Sequence, residues 1–283
     1  MRLLAAALVA LVALATSTGC NLILGLEPTT QIETIDAPGG APGDGGGPDA
    51  PDAAGGADGD GGEPPDFCAA LEATSEPLHL CTDFADGGDL AAAGFDGSDV
   101  VDGVIAIEDA ALHAHIGLGV DAAAARARRT LALAEHPARL EISARMRIAS
   151  TCVTATQRAR VLTIEVRDAP PALPPFIYSL DVDAAQALLQ EATLTPQGSY
   201  TTRLAGLDPP RLDAWVEVSL TLDLDGSDAF LRTRFDGHIG QLHAGVPAAR
   251  FDPPVVTVGV SAAGNHLACD VLVDDLAIRE LPE

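Results

Sequence analysis

Residues 139–149 read Arg-Leu-Glu-Ile-Ser-Ala-Arg-Met-Arg-Ile-Ala. Leu140, Ile142, Ala144, Met146 and Ile148 occupy every second place, and Arg139, Glu141, Ser143, Arg145 and Arg147 fill the places between. A period of two with one apolar and one polar face is the pattern of a half-buried strand in an antiparallel sheet. The same alternation recurs in Val216, Val218, Leu220, Leu222 and Leu224 against Glu217, Ser219, Thr221 and Asp223. It recurs again in Leu162, Ile164 and Val166 against Thr163, Glu165 and Arg167.

Working outward, further strands are predicted at Val100–Glu108, Ala111–Leu118, Thr130–Ala134, Phe176–Val182, Tyr200–Leu204, Phe230–Phe235, Val255–Ser261 and Val271–Ile278. Asp-Gly pairs at 225–226 and 236–237 punctuate the later ones as turns. About a dozen short strands separated by turn signals predict an all-β, two-sheet antiparallel sandwich over residues 67–283. Two Ala-rich stretches, Asp121–Arg129 and Asp183–Ala192, read as loops or short helices.

The chain before residue 67 is of another kind. Arg2 is followed by a small and apolar run from Leu3 to Ala15, too short to span a bilayer and of the length of an export signal. Ser17-Thr18-Gly19-Cys20 resembles the lipobox of bacterial lipoproteins. That resemblance implies a signal peptide over residues 1–19 and acyl chains on Cys20. Of the five cysteines, four lie in the body and can pair, which leaves Cys20 odd. Ala13-Leu14-Ala15 offers the alternative of ordinary signal cleavage and a secreted, soluble product. Asn21 is not the Asp that keeps some lipoproteins in the inner membrane, so the resemblance implies the outer membrane.

From Asp36 to Asp66, 17 of 31 residues are Gly or Pro and eight are carboxylates, with no aromatic, no Leu, Ile, Val or Met, and no cation. Such a segment buries too little apolar surface to offset its ordering entropy, so residues 20–66 are predicted to form a disordered acidic tether. The chain from Cys20 to Phe67 would span roughly 35–40 Å as a coil.

The body is acidic too, with 31 acids against 15 arginines and no lysine. No basic run stands ready to neutralise phosphates, which argues against nucleic acid as a partner.

Phe67-Cys68 and Cys81-Thr82-Asp83-Phe84-Ala85-Asp86-Gly87 resemble the opening of concanavalin A-like (laminin-G-like) jelly rolls, and Asp270-Val-Leu-Val-Asp274-Asp275-Leu-Ala-Ile278 resembles their final strand. The resemblance implies a jelly-roll sandwich. It also implies a structural calcium where the first and last strands meet, with Asp83, Asp86, Asp274 and Asp275 as oxygen ligands. Four cysteines allow three connectivities; pairing near neighbours gives Cys68–Cys81 and leaves Cys152–Cys269.

Candidate chemistry is sparse. Glycan hydrolases of this fold carry Glu-x-Asp-x-x-Glu, and no Glu-x-Asp occurs here. Asp181/Asp183 and Asp223/Asp225 share faces but read as turn formers. His113-x-His115 lacks a third ligand at a known spacing. The only Trp, Trp215, and Tyr178 are the candidate ligand contacts. These readings lead to a lipid-anchored envelope protein presenting a non-catalytic sandwich for recognition of, or adhesion to, a glycan or an envelope protein. The alternatives are a jelly-roll enzyme acting on polysaccharides, a hydrolase or a lyase, and a purely structural envelope protein.

Overall fold

The computed structural model describes residues 67–281, apart from 75, 134–138, 155–156, 168–174, 195–199, 209–210, 225–228 and 245–251. The predicted signal peptide, Cys20 and the acidic tether lie outside the described residues.

The body is a sandwich of two antiparallel sheets. A short helix, α1 (Phe67–Glu72), leads into β1 (Leu78–Thr82), β2 (Gly97–Val101), β3 (Gly103–Glu108), β4 (Ala111–Ile116) and β5 (Ala123–Thr130). The middle of the chain supplies β6 (Arg139–Ile148), β7 (Ala159–Val166), β8 (Phe176–Val182), β9 (Ala187–Leu194) and β10 (Tyr200–Leu207). The last third gives β11 (Trp215–Asp223), β12 (Phe230–Phe235), β13 (His238–His243), β14 (Val255–Ala262) and β15 (Cys269–Leu281). Sheet A has the order β13-β12-β11-β6-β15-β4-β3 with β1 on β15; sheet B has the order β10-β9-β8-β7-β14-β5-β2.

The alternation read from the sequence sets the core. Leu140, Ile142, Met146 and Ile148 of β6, Val218 and Leu220 of β11, and Val271 and Val273 of β15 are all buried against Leu162, Ile164, Val256, Val258 and Val260 of sheet B. Burial of these side chains supplies most of the driving force. Asp236 and Gly237 both take positive φ, +49° and +84°, and close the β12–β13 hairpin. Two positive φ values in a two-residue loop match the twist of the flanking strands.

Two expectations are corrected here. Asp121–Arg129 and Asp183–Ala192 are neither loops nor helices: they hold β5 and β9. Alanine's helix preference is weak, and pairing with β14 and β2 on one side and β8 and β10 on the other overrides it. The small side chains have a packing role. At Gly259 of β14, φ is +136°, and a Cβ would lie 2.3 Å from the Ala125 carbonyl oxygen and 3.3 Å from Ala114 Cβ across the sandwich. The sheets meet closely there, and only Ala and Gly leave room. β13, a mostly polar strand, has no counterpart among the predicted strands.

Two disulfides close the body. Cys68–Cys81 ties α1 to β1, and Cys152–Cys269 ties the turn after β6 to the start of β15. No helix among the described residues is long and apolar enough to cross a membrane.

Candidate functional site

Sheet B turns one face to the core and one away from it. On the outward face, pairing lines up Gln190 of β9, Ser179 of β8, Thr163 of β7, Thr257 of β14 and Arg128 of β5 in a single row across five strands. Ser179 is 0% exposed, Thr163 6% and Thr257 7%. Their three hydroxyl oxygens have no hydrogen-bond partner among the described residues. A buried, unpaired hydroxyl costs about 1–3 kcal/mol, and native proteins rarely tolerate three side by side without a use for them.

Charged groups flank the row. Arg126 of β5 lies one pleat from Arg128, and its Nη2 donates to Asp99 Oδ2 at 3.2 Å. Its Nε is buried and has no partner among the described residues. Burial pushes the Arg126 guanidinium below the usual arginine range; Asp99 opposes this, nearby Arg160 adds to it, and Glu165 opposes it. Arg126 is therefore a half-buried cation, paired with Asp99 and with one unfilled donor. Arg160 is committed, its Nε and Nη2 donating to the two oxygens of Asp181 at 2.9 and 3.2 Å. Glu165 is partly exposed at the upper edge of the row, accepting from Arg167 Nε at 2.6 Å.

This face carries the half-buried guanidinium of Arg126 and the partly exposed carboxylate of Glu165, with the three hydroxyls buried between them. Glu165 and Asp181 stand four strand positions apart by register. That is roughly 13 Å of backbone along the strand; Glu165 and Arg126 are likewise four positions apart, across β14, and their long side chains bring the two charges near enough to interact.

The structure distributes the sequence candidates elsewhere. Tyr178 is fully buried in the core, stacked on Phe176 at 6.3 Å, and cannot contact a ligand; the alternation of β8 that turns Ser179 outward turns Tyr178 inward. Trp215 is partly exposed at the start of β11, with the Arg145 guanidinium 5.3 Å from its ring centre. Asp274 and Asp275 occupy a bulge of β15, both bridged to Arg145, and Asp83 is near enough for its charge to raise the Asp274 pKa. Asp86 is exposed in the turn after β1. No cluster of three or more His, Cys, Asp or Glu side chains among the described residues has metal-holding geometry. His113 and His115 lie on the wet face of β4, and His115 Nδ1 meets Asp270 at 2.8 Å.

Asp183 is a turn former, accepting from the amides of Ala185 and Gln186, but Asp181 is a buried ion-pair partner. Asp223 is likewise not a turn residue: it pairs with Arg139 on sheet A. The hydroxyl row escaped the sequence reading. Each member shows only as a polar place in an apolar strand, and adjacency depends on sheet order.

No family model matches the chain, and no curated protein matches it. Solved structures do. An alginate lyase from Chlorella virus superposes with a TM-score of 0.53 at 6% identity, covering 72% of this chain and all of that one. The kappa-carrageenase of Pseudoalteromonas carrageenovora gives 0.47 at 10% identity over 73% of this chain and 95% of that one. An alginate lyase of Zobellia galactanivorans gives 0.44 at 9% identity over 74% and 96%. The first of these establishes the concanavalin A-like jelly-roll fold. The expected assignment to non-catalytic recognition is corrected by the first of them: the protein that shares this fold at a TM-score of 0.53 is named as an alginate lyase, a likeness that at 6% identity shows the fold of this chain.

Proposed function

We propose that this protein is a polysaccharide-acting enzyme whose substrate is an acidic glycan bound on the outward face of sheet B. The observation that carries this reading is the set of buried, unpartnered polar atoms there: Arg126 Nε and the hydroxyls of Thr163, Ser179 and Thr257. A sugar carboxylate would meet the accessible part of Arg126, and displacement of the side chains that cover the row would bring ring hydroxyls to the other three. Desolvated donors of this kind discriminate strongly against ligands that leave them unpaired.

The chemistry proposed for an acidic glycan with one carboxylate and one guanidinium is elimination. Glu165 removes the proton on the carbon beside the sugar carboxylate, and Arg126 stabilises the charge that develops on that carboxylate. A carbon–carbon double bond forms as the glycosidic carbon–oxygen bond breaks. The proton held by Glu165 then passes to the leaving oxygen.

The test is a panel of uronate-rich and neutral polysaccharides, with unsaturated products followed by ultraviolet absorbance and new reducing ends counted. Cleavage is expected on an acidic polymer, and Arg126→Ala and Glu165→Gln should each lower it by about 100-fold or more. Cleavage confined to neutral polymers, or none with any acidic one, would contradict the reading.

The anchoring expected from the sequence completes the proposal. The apolar run Leu3–Ala15 and the odd Cys20 support an enzyme held to the cell envelope by acyl chains. Mass spectrometry of the mature amino terminus should find a lipid-modified Cys20; a chain starting at Thr16 with a free thiol would contradict it.

A further inference from the structure

The outward face of sheet A, on the opposite side of the sandwich, holds a groove of about 590 Å³. Five arginines line it, Arg139, Arg145, Arg232, Arg234 and Arg279, against three carboxylates, Glu141, Glu217 and Asp275. In a chain of net charge −25 this is a local excess of cations. No run of basic residues foretells it, because the strands that contribute are far apart in sequence.

The arginines differ in what already holds them. Arg279 is committed to Glu76 and Glu141, and Arg145 to Asp274 and Asp275. Arg139 pairs with Asp223 and lies over Phe230. Among the described residues Arg232 donates to the neutral Gln241, and it also lies over Phe230, at 5.4 Å. Arg234 is exposed and has no ion-pair partner among the described residues. Arg232 and Arg234 are therefore adjacent cations, two residues apart on one strand face, without an anionic partner among the described residues.

Phe67 also lines the groove, so the chain enters the domain at this surface. Directly before it run the 31 residues from Asp36 to Asp66, with eight carboxylates and no cation. We propose that this acidic segment is the occupant of the groove, its carboxylates pairing with Arg232 and Arg234 of the same molecule. The distances allow it. β12 lies three strand spacings from β15, about 14 Å, and a Gly-rich chain from Phe67 back to Asp60 reaches roughly 13–16 Å. Covalent connection holds the local concentration of carboxylate near the millimolar range, far above that of a free polyanion. The pairing holds the sheet A side of the domain toward its own leader and leaves the sheet B face open. It does not rest on the catalytic reading, which concerns the other face.

The only Trp, Trp215, stacks with Arg145 at the rim of this groove and serves as reporter. In the full chain carrying Cys20→Ser, a nitroxide at Ala57→Cys should quench Trp215 by about twofold or more at about 0.01 M salt, and the quenching should vanish at about 1 M salt, where the screening length falls to about 3 Å. It should also vanish in Arg232→Ala/Arg234→Ala, and when all eight leader carboxylates are replaced by their amides, a change that leaves the domain intact. Soluble polyglutamate should bind the amide variant more tightly than the parent. Quenching that persists through either set of substitutions, no quenching at low salt, or equal polyglutamate affinity with and without leader charge would overturn the proposal.

Discussion

Ser179 shows what single residues contribute and where sequence reading stops. Its place in the alternation of β8 is legible: Tyr178 and Leu180 turn inward, Ser179 outward. What alternation cannot tell is that Ser179 lies beside Thr163, and Thr163 beside Thr257, because that depends on β7 pairing with β8 and β14. The same limit explains the failed assignment of Tyr178, an aromatic read for its chemistry rather than its parity. If the hydroxyls are kept for a ligand, they cost the empty protein stability. Ser179→Ala should therefore raise the free energy of unfolding by about 1 kcal/mol while weakening retention on an acidic glycan. Chemical denaturation alongside affinity electrophoresis would check both signs. A loss of stability in this variant would mean that the hydroxyl has a partner in the folded state.

Among the elements, β15 carries the clearest local device. Its register with β6 shifts between Asp274 and Ala277, and Asp275 takes φ of +48°, so the bulge turns two successive carboxylates toward Arg145. Burial raises the Asp274 pKa above the ordinary carboxylate value; the charges of Asp275 and Asp83 add to this, while the Asp275 amide and Arg145 oppose it. The folded state then binds that proton more tightly than the unfolded chain does. Stability falls as pH rises from the ordinary carboxylate pKa, about 3.9, through the raised value, and the cost is fully present at neutral pH. Asp274→Asn removes the titration and keeps an acceptor for the Asp275 amide. It should raise the Tm at about pH 7, with the gain shrinking below about pH 4, where Asp274 is protonated in both states. A lower Tm at neutral pH would show that the Arg145 bridge outweighs the burial cost.

The Ala-rich strands mark the other limit at this scale. Local composition favoured helix or loop for β5 and β9, and only the partner strands on either side decide otherwise. Parity was reliable wherever branched residues alternated with charged ones, as in β6 and β11. It failed where alanine blurred the contrast.

At the level of the whole molecule, the sandwich was legible, because period-two patterning is a local signal with a global consequence; cysteine spacing allowed three connectivities, and the structure has the near-neighbour pairing. The distribution of charge was not legible. Counting residues gives an acidic body, yet folding gathers Arg139, Arg145, Arg232, Arg234 and Arg279 on one face and half-buries Arg126 on the other. Net charge describes solubility and long-range repulsion; it says little about a surface assembled from five strands. The two faces do different work in this account, one presenting desolvated donors to a substrate and the other pairing with the chain's own acidic leader. The central claim is that the sheet B face binds an acidic glycan. A titration of isotope-labelled protein with a uronate oligosaccharide, followed by amide NMR shifts, tests it most directly. Saturable shifts centred on Arg126, Thr163, Ser179 and Thr257 are predicted; shifts confined to Ser143, Ser219 and Thr221 on sheet A, or none at all, would contradict it.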